Sequence, residues 1–184
     1  PAQEAWLGEG LQSSRARWNF LLQQTPMAQA TQVPIIKPGD GRFWNDGWDG
    51  YPAARRRLFD ALSSSGAANP VALSGDVHTF YASELRADFN RPVSRQNPVI
   101  ATEFCGTSVT SNSRPQARTQ QFVDMNPHIR YGRSDKRGFI MLNISPTETK
   151  AAFMALDDVR NPQSAVAAIA NFTVAKGRPG ASRA

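Results

Sequence analysis

One stretch decides the fold, Val71-Ala72-Leu73-Ser74-Gly75-Asp76-Val77-His78. Its apolar start, entered through Asn69-Pro70, predicts a short buried β-strand. Open α/β sheets bind ligands beyond the carboxyl ends of such strands, which is where Asp76 and His78 fall. If the chain stays extended there, the two side chains point the same way. A carboxylate and an imidazole that emerge together form half of a metal site, unless the segment is only a turn.

The length and composition of the chain limit its class. Its 184 residues suffice for one domain with a sizeable core, and 40% hydrophobic residues fit a globular protein. No apolar stretch approaches the roughly 18 residues of a membrane span. The opening Pro1-Ala2-Gln3-Glu4 lacks the features of a signal peptide. With Cys105 as the single cysteine, an internal disulfide and a Cys-based zinc cluster are both excluded.

The charge of the chain would suit an anionic partner. Its formal net charge is +6, and arginine, which dominates the basic residues, suits phosphate recognition. The alternative is an arginine-rich solvated surface. Apart from Arg55-Arg56-Arg57 the basic residues are scattered and no nucleic-acid motif accompanies them, so we expect no specific nucleic-acid binding.

Hydrophobic periodicity predicts a mixed α/β fold with much antiparallel sheet. The pattern predicts helices over 3–14 and 52–65. It predicts strands over 17–22, 70–75, 79–89, 99–104, 138–145, 150–159 and 170–175, with the pair 138–145 and 150–159 as a hairpin. Two long loops are expected, over 25–50 and 106–136, and a Gly-Arg-Pro-Gly tail follows the last strand.

Three further segments carry candidate site residues. The aromatic segment 44–52, with Trp48, Asp49 and Tyr51, predicts either a substrate-facing loop or a set of caps and turns. The hydroxyl-rich segment 106–111, with Thr107 and Ser108, predicts either a cradle for phosphate oxygens or a structural turn. His128, after Asn126-Pro127, is either catalytic or incidental.

The order of the motifs identifies a family resemblance. The segments are Gln3-x-x-Trp6-Leu7, Trp44-x-x-x-Trp48-Asp49-Gly50-Tyr51-Pro52-x-x-Arg55, Ser74-Gly75-Asp76-Val77-His78, Glu103-Phe104-x-Gly106-Thr107-Ser108-x-Thr110-Ser111, Asn126-Pro127-His128 and Arg137-Gly138-Phe139. In this order the chain resembles the PhoD-like alkaline phosphatases/phosphodiesterases of the metallophosphoesterase superfamily. The resemblance runs from residue 3 to about Gly180.

The resemblance implies an α/β fold, namely the C-terminal half of a calcineurin-like metallophosphoesterase sandwich with two stacked mixed sheets flanked by helices. Residues 1–184 would be the C-terminal part of one domain, whose N-terminal part is absent from this chain and would be its partner. Without that part we expect an exposed apolar sheet face, since stacked sheets pack about 10 Å apart. The exposed face predicts self-association or a missing complementary segment.

The resemblance also implies metal-dependent hydrolysis of phosphate mono- and diesters in the parent protein, which would be periplasmic or secreted. Asp76 and His78 would be metal ligands, with Ca²⁺ and Fe³⁺ expected in preference to Zn²⁺ or Mn²⁺. His128 would be catalytic, and the substrate would meet Trp48, Asp49, Tyr51, Thr107 and Ser108. Two ligands do not complete a two-metal site, so we expect the fragment alone to be inactive. The alternative is a non-catalytic interaction or binding module that reuses the half-fold.

Overall fold

Two β-sheets form the centre of the molecule in this computed structural model, which describes residues 2–184. The helices are α1 (Ala2–Ser13), α2 (Pro52–Ser64) and α3 (Gln116–Met125). The strands are β1 (Asn19–Leu22), β2 (Pro70–Ser74), β3 (Phe80–Arg86), β4 (Val99–Cys105), β5 (Ile129–Arg133), β6 (Arg137–Ile144), β7 (Glu148–Leu156), β8 (Val166–Ala175) and β9 (Arg178–Arg183). No helix within residues 2–184 has the length and apolar character needed to cross a membrane.

The first sheet brings three chain segments to one edge. Its strand order is β1-β2-β4-β3-β5, with β1, β2 and β4 parallel and β3 antiparallel to both of its neighbours. Ser74 and Cys105 are partners in register, so β2 and β4 end side by side. The Gly75 N–H donates to the Gln24 carbonyl, and the Gly106 N–H donates to the Ser74 carbonyl. The loops that follow β1, β2 and β4 are therefore neighbours.

The second sheet packs face to face on the first. It is an antiparallel meander, β6-β7-β8-β9. The inward side chains of both sheets form one buried cluster, in which the ring centroids of Phe80 and Phe153 lie 5.0 Å apart and those of Phe153 and Phe172 lie 5.1 Å apart. Aromatic pairs at these separations are favourable beyond the area they bury. The predicted α/β class with two stacked sheets is thus confirmed.

Helix α2 covers the opposite face of the first sheet. Pro52 occupies the first turn, where its missing N–H costs nothing and its fixed φ suits the helix. Arg55, Phe59 and Leu62 are buried at i, i+4 and i+7, as one helix face requires. Phe59 and Leu62 share a core cluster with Leu85 of β3. The predicted helix over 52–65 is confirmed within one residue.

Two predictions about loops are wrong. The segment predicted as a loop over 106–136 contains α3 and β5, and the predicted tail contains β9. Contacts distant in sequence stabilise these elements: the Gln116 side chain donates to the Gly132 carbonyl and accepts from the Ser134 N–H. The Gly180 N–H of β9 donates to the Thr102 hydroxyl of β4 at 2.9 Å. Such tertiary contacts override weak local propensity.

The expected exposed apolar face is not the inner face of the first sheet. Both sheets belong to this chain, and the apolar face of the first sheet is covered by the second. The predicted reason for self-association, an uncovered inner face, is therefore not present in residues 2–184. Self-association itself stays a prediction, which light scattering would measure.

Candidate active site

A pocket of about 620 Å³ opens at the edge where β1, β2 and β4 end. Trp48 and Asp49 line it from the long loop that precedes α2, and Asp76 and His78 line it from the turn after β2. Tyr81 of β3 contributes a further wall. The structure therefore brings together four of the predicted site residues in a cleft large enough for a small organic ligand.

The backbone at Asp76 and His78 differs from the extended chain that the spacing predicted. Both residues are left-handed, with φ of 70° for Asp76 and 53° for His78. The Val77 N–H donates to the Gly75 carbonyl, which closes a tight turn. A left-handed residue other than glycine costs about 1–2 kcal/mol, and such strain clusters at functional sites. The side chains of Asp76 and His78 reach one pocket through this turn and not through strand alternation.

The hydrogen bond of His78 fixes which ring nitrogen is open. Its Nδ1 lies 3.0 Å from the Asn112 carbonyl oxygen. Because a carbonyl only accepts, Nδ1 carries the proton and the neutral ring keeps its lone pair on Nε2. Metal-binding histidines are commonly oriented by such a bond from the other nitrogen.

Asp76 and His78 fit a cation as part of a larger set of ligands. The carboxylate of Asp76 is exposed and forms no ion pair with any residue of the described chain. A carboxylate oxygen and an imidazole nitrogen suit borderline or hard cations. Within residues 2–184 no group of three or more His, Cys, Asp or Glu side chains lies close enough to hold a metal ion. Further donors are needed to complete a site here.

A buried carboxylate, Glu103 of β4, holds the long loop over the pocket. Its oxygens accept from the N–H groups of Met27 and Ala28 at 2.7 and 3.0 Å and from the Ser74 hydroxyl at 3.0 Å. Glu103 is only 1% exposed, and this burial raises its pKa although the three donors oppose the shift. The start of the loop is thus fixed to the sheet.

Asp49 supports the same loop through a buried ion pair. Its Oδ1 accepts from the Arg55 guanidinium at 2.6 Å, and its Oδ2 accepts from the Ala30 N–H at 2.9 Å. Arg55 also donates to the Met27 carbonyl. Asp49 was predicted to bind substrate, and although it reaches the pocket wall, its carboxylate is engaged by these two donors.

His128 helps to hold the loop in place and does not line the pocket. Its Nε2 is 2.6 Å from the Gln29 carbonyl oxygen, and its ring packs 4.5 Å from that of Phe89. Burial lowers the pKa of His128 to about 4, with a further contribution from the nearby Arg86 guanidinium. At 2% exposure the ring lies outside the pocket lining, and the catalytic role of His128 stays a prediction.

Asn126 completes the set of contacts that hold the loop. Its side-chain oxygen accepts from the Thr31 N–H at 2.9 Å, and its amide donates to the Thr31 carbonyl at 3.1 Å. Asn126 and Thr31 are both almost fully buried. The loop over 25–50 is therefore tied to α2, α3, β4 and the turn before β5.

Three other predicted substrate residues do not line the pocket. Tyr51 is 65% exposed beside the start of α2. The Thr107 hydroxyl lies 3.1 Å from the carbonyl oxygens of both His78 and Lys136, so Thr107 supports the turn that carries His78. The Ser108 hydroxyl donates to the Ser111 carbonyl within its own turn. The hydroxyls of Thr107 and Ser108 thus bond to backbone carbonyls. Contact of the three residues with substrate stays a prediction.

The sequence pattern missed a group on the far wall of the pocket, formed by Tyr81, Arg114 and Phe122. The Arg114 guanidinium carbon lies 4.7 Å from the centroid of the Phe122 ring. Burial raises the pKa of the Tyr81 phenol, and the Arg114 charge opposes that rise. Periodicity gave no signal for Arg114 and Phe122, because both lie in the segment 106–136 that was predicted as a loop.

Comparisons with known proteins agree with this architecture. A family model described as PhoD-like phosphatase matches residues 1–153. Alkaline phosphatase D of Bacillus subtilis (strain 168) is 36% identical over 181 residues, which are 97% of this chain and 30% of that protein. A solved structure of PhoD matches all of this chain and 34% of its own, with 33% identity and a TM-score of 0.86.

These matches cover the segment that carries the pocket, Asp76 and His78. The chain spans about a third of the length of the relatives it matches. On the extent of the family match and the agreement of the fold, this chain belongs to the PhoD-like phosphatase family.

Proposed function

We propose that this chain forms one side of the active site of a phosphoric ester hydrolase, which in the whole protein cleaves phosphate mono- or diesters. The observation that carries the proposal is the pair Asp76 and His78, held on a strained turn in a pocket with the Nε2 of His78 open. Membership of the PhoD-like phosphatase family supports the same reaction class.

Asp76 and His78 would hold part of a centre of two or more metal ions, for which we propose Ca²⁺ and Fe³⁺. When bound, such ions neutralise charge on the phosphoryl oxygens and make water a stronger nucleophile. Asn112 keeps the His78 ring in the tautomer that a cation requires. We propose that the remaining ligands come from parts of the protein outside this chain, since residues 2–184 supply no third one nearby.

The rest of the chain would position and attract the ester. Trp48 forms an apolar wall of the pocket, and its indole N–H donates to the Gln23 side chain at 3.2 Å, which fixes the ring. The net charge of +6 would attract anionic esters, although salt screens this attraction beyond about 8–10 Å. By resemblance to its family we propose a periplasmic or secreted location for the whole protein.

The test uses the whole metal-loaded protein with p-nitrophenyl phosphate and its bis-ester analogue as substrates. Asp76→Asn and His78→Ala should each lower kcat about 100-fold or more, because loss of a direct ligand should cost at least as much as loss of a group that orients one. Asp46→Asn is the matched control, since Asp46 is an exposed carboxylate on the neighbouring 25–50 loop and does not line the pocket. Metal analysis of each variant gives a second readout.

Two outcomes would contradict the proposal. One is a whole protein that hydrolyses neither substrate with any of Ca²⁺, Fe³⁺ or Zn²⁺, which would favour a binding module. The other is an Asp76→Asn or His78→Ala variant that retains activity and metal content within twofold of the Asp46→Asn control. The chain of residues 1–184 alone should show no turnover in the same assay.

A further inference from the structure

We propose that Arg114 is the group on this chain that binds the phosphoryl oxygens of the substrate and so sets its affinity. The proposal rests on the proposed function, because it assigns an anion-binding residue to the same pocket. Arg114 lines the pocket that also contains Asp76 and His78, and it lies two residues before α3, whose Phe122 lines the same pocket. No sequence motif pointed to it.

The position of Arg114 is linked to that of His78. Asn112 and Ser113 immediately precede Arg114. The Asn112 carbonyl accepts from the His78 ring, and the Ser113 hydroxyl lies 3.0 Å from that of Thr79. The segment that orients His78 therefore also places the guanidinium. Asp76 and Arg114 both lie near enough to the buried Cys105 thiol to act on its pKa, with opposite signs. The carboxylate and the guanidinium thus belong to one small region.

The Arg114 guanidinium is oriented but not neutralised. The centroid of the Phe122 ring lies 4.7 Å from the guanidinium carbon, a cation–π contact that holds the side chain in place. Among residues 2–184 no Asp or Glu oxygen lies within 4.0 Å of it. The carboxylate of Asp49, on another wall of the pocket, is already paired with Arg55. The pocket therefore presents a positive group that no carboxylate among residues 2–184 pairs with at 4.0 Å or less.

The chemistry of guanidinium matches a phosphoryl group. Its N–H donors form a planar fork that binds two oxygens of phosphate at once, which lysine cannot do. The guanidinium carbon lies over the Phe122 ring and Arg114 lines the pocket, so its N–H donors are placed to meet a ligand there. Arg114 is therefore suited to a tetrahedral phosphate oxyanion.

Arg118 provides a matched control. Its guanidinium also stacks on Phe122, at 4.8 Å, but it donates to the Gln32 carbonyl and the Gln121 side chain and does not line the pocket. Arg114 and Arg118 thus share residue type, aromatic partner and neighbourhood. They differ in whether the guanidinium faces the pocket.

The experiment measures inhibition by inorganic phosphate and the KM for p-nitrophenyl phosphate in the whole metal-loaded protein. Arg114→Ala and Arg114→Gln should raise both constants about 10- to 100-fold, the range for losing charged hydrogen bonds. Arg114→Lys should fall between these variants and the wild type, because it keeps the charge and loses the fork. Arg118→Ala should change either constant less than about threefold, and kcat should change less than KM in the Arg114 variants.

The outcomes separate this proposal from the proposed function. If the wild type is active but Arg114→Gln leaves phosphate inhibition and KM unchanged, the role of Arg114 is overturned. The proposed hydrolase function is not affected by that result. If Arg114→Ala and Arg118→Ala change the two constants equally, both arginines serve to support Phe122, and the proposed role of Arg114 is also overturned. If the wild type hydrolyses no ester, calorimetric titration with inorganic phosphate decides: binding that Arg114→Gln weakens supports the role, and absent or equal binding refutes it.

Discussion

The ion pair between Asp49 and Arg55 gives a direct test of how the pocket loop is held. In Asp49→Asn, an NH₂ group replaces one of the two carboxylate oxygens. In the wild type those oxygens accept from the Arg55 guanidinium at 2.6 Å and from the Ala30 N–H at 2.9 Å. One of these donors must then face another donor.

The expected magnitude follows from the burial of the pair. The side chains of Asp49 and Arg55 are 9% and 8% exposed, so solvent screens the loss little. Losing one partner of a buried pair costs about 3–5 kcal/mol, and leaving a buried donor unsatisfied costs about 1–3 kcal/mol. Because asparagine keeps one acceptor, we expect a loss of about 3 kcal/mol in the free energy of unfolding. For a chain of this size that corresponds to roughly 6–12 °C in Tm.

Urea denaturation followed by tryptophan fluorescence measures this loss, and Trp48 adjoins the mutated residue. The free energy of unfolding of Asp46→Asn should stay within about 0.5 kcal/mol of the wild-type value, as expected for an exposed site. The double variant Asp49→Asn/Arg55→Met should be less destabilised than the sum of the single variants, since it removes the unpaired charge. Equal stability of Asp49→Asn and Asp46→Asn, or strictly additive effects in the double variant, would refute the reasoning.

Two further predictions concern pH and backbone packing. Unfolded His128 takes up a proton near pH 6.5, whereas the pKa of the folded residue is about 4. Its contribution is fully present above pH 6.5 and is lost as the pH falls toward 4, by up to about 3 kcal/mol. His128→Gln should therefore flatten the dependence of unfolding free energy on pH, and an unchanged slope would contradict this. Gly50→Ala should destabilise by about 2 kcal/mol or more, because the new Cβ would lie 2.1 Å from the Asn45 carbonyl oxygen. Gly10→Ala in α1 meets nothing within 4 Å and should stabilise by up to about 1 kcal/mol, so a similar thermal shift for both variants would disprove the steric argument.

The hydrophobic periodicity of the sequence predicted those helices and strands that are stabilised by residues close together in the chain. The apolar run of β2 and the amphipathic α2 behind Pro52 lie where periodicity placed them. Helix α3 has no side-chain cap at Pro115, and its contacts run to β5, so its own residues gave little signal. A helix that is stabilised mainly by residues distant in sequence cannot be predicted from the pattern of its neighbouring residues.

The candidate site was predicted in part, and partly for the wrong reason. Asp76 and His78 share a pocket, but left-handed turns and not an extended strand place them there. Asp49 and His128 are polar residues on predicted loops, yet both bond to backbone groups distant in sequence. Asp49 accepts from the Ala30 N–H within the same loop, and His128 and Gln29 are separated by 99 residues. Which polar residue faces a ligand and which faces the backbone depends on such long-range contacts, which spacing does not encode.

The fixation of the 25–50 loop by Glu103, Asn126 and His128 has a consequence for ligand entry. Ordering a flexible segment costs about 1–2 kcal/mol per residue in backbone entropy. A wall that is rigid before a ligand arrives avoids that loss at the moment of association, so the measured affinity reports the contacts themselves. The same rigidity limits adaptation, so the loop will not close around a ligand whose shape departs from that of the cleft, and such a ligand will bind weakly.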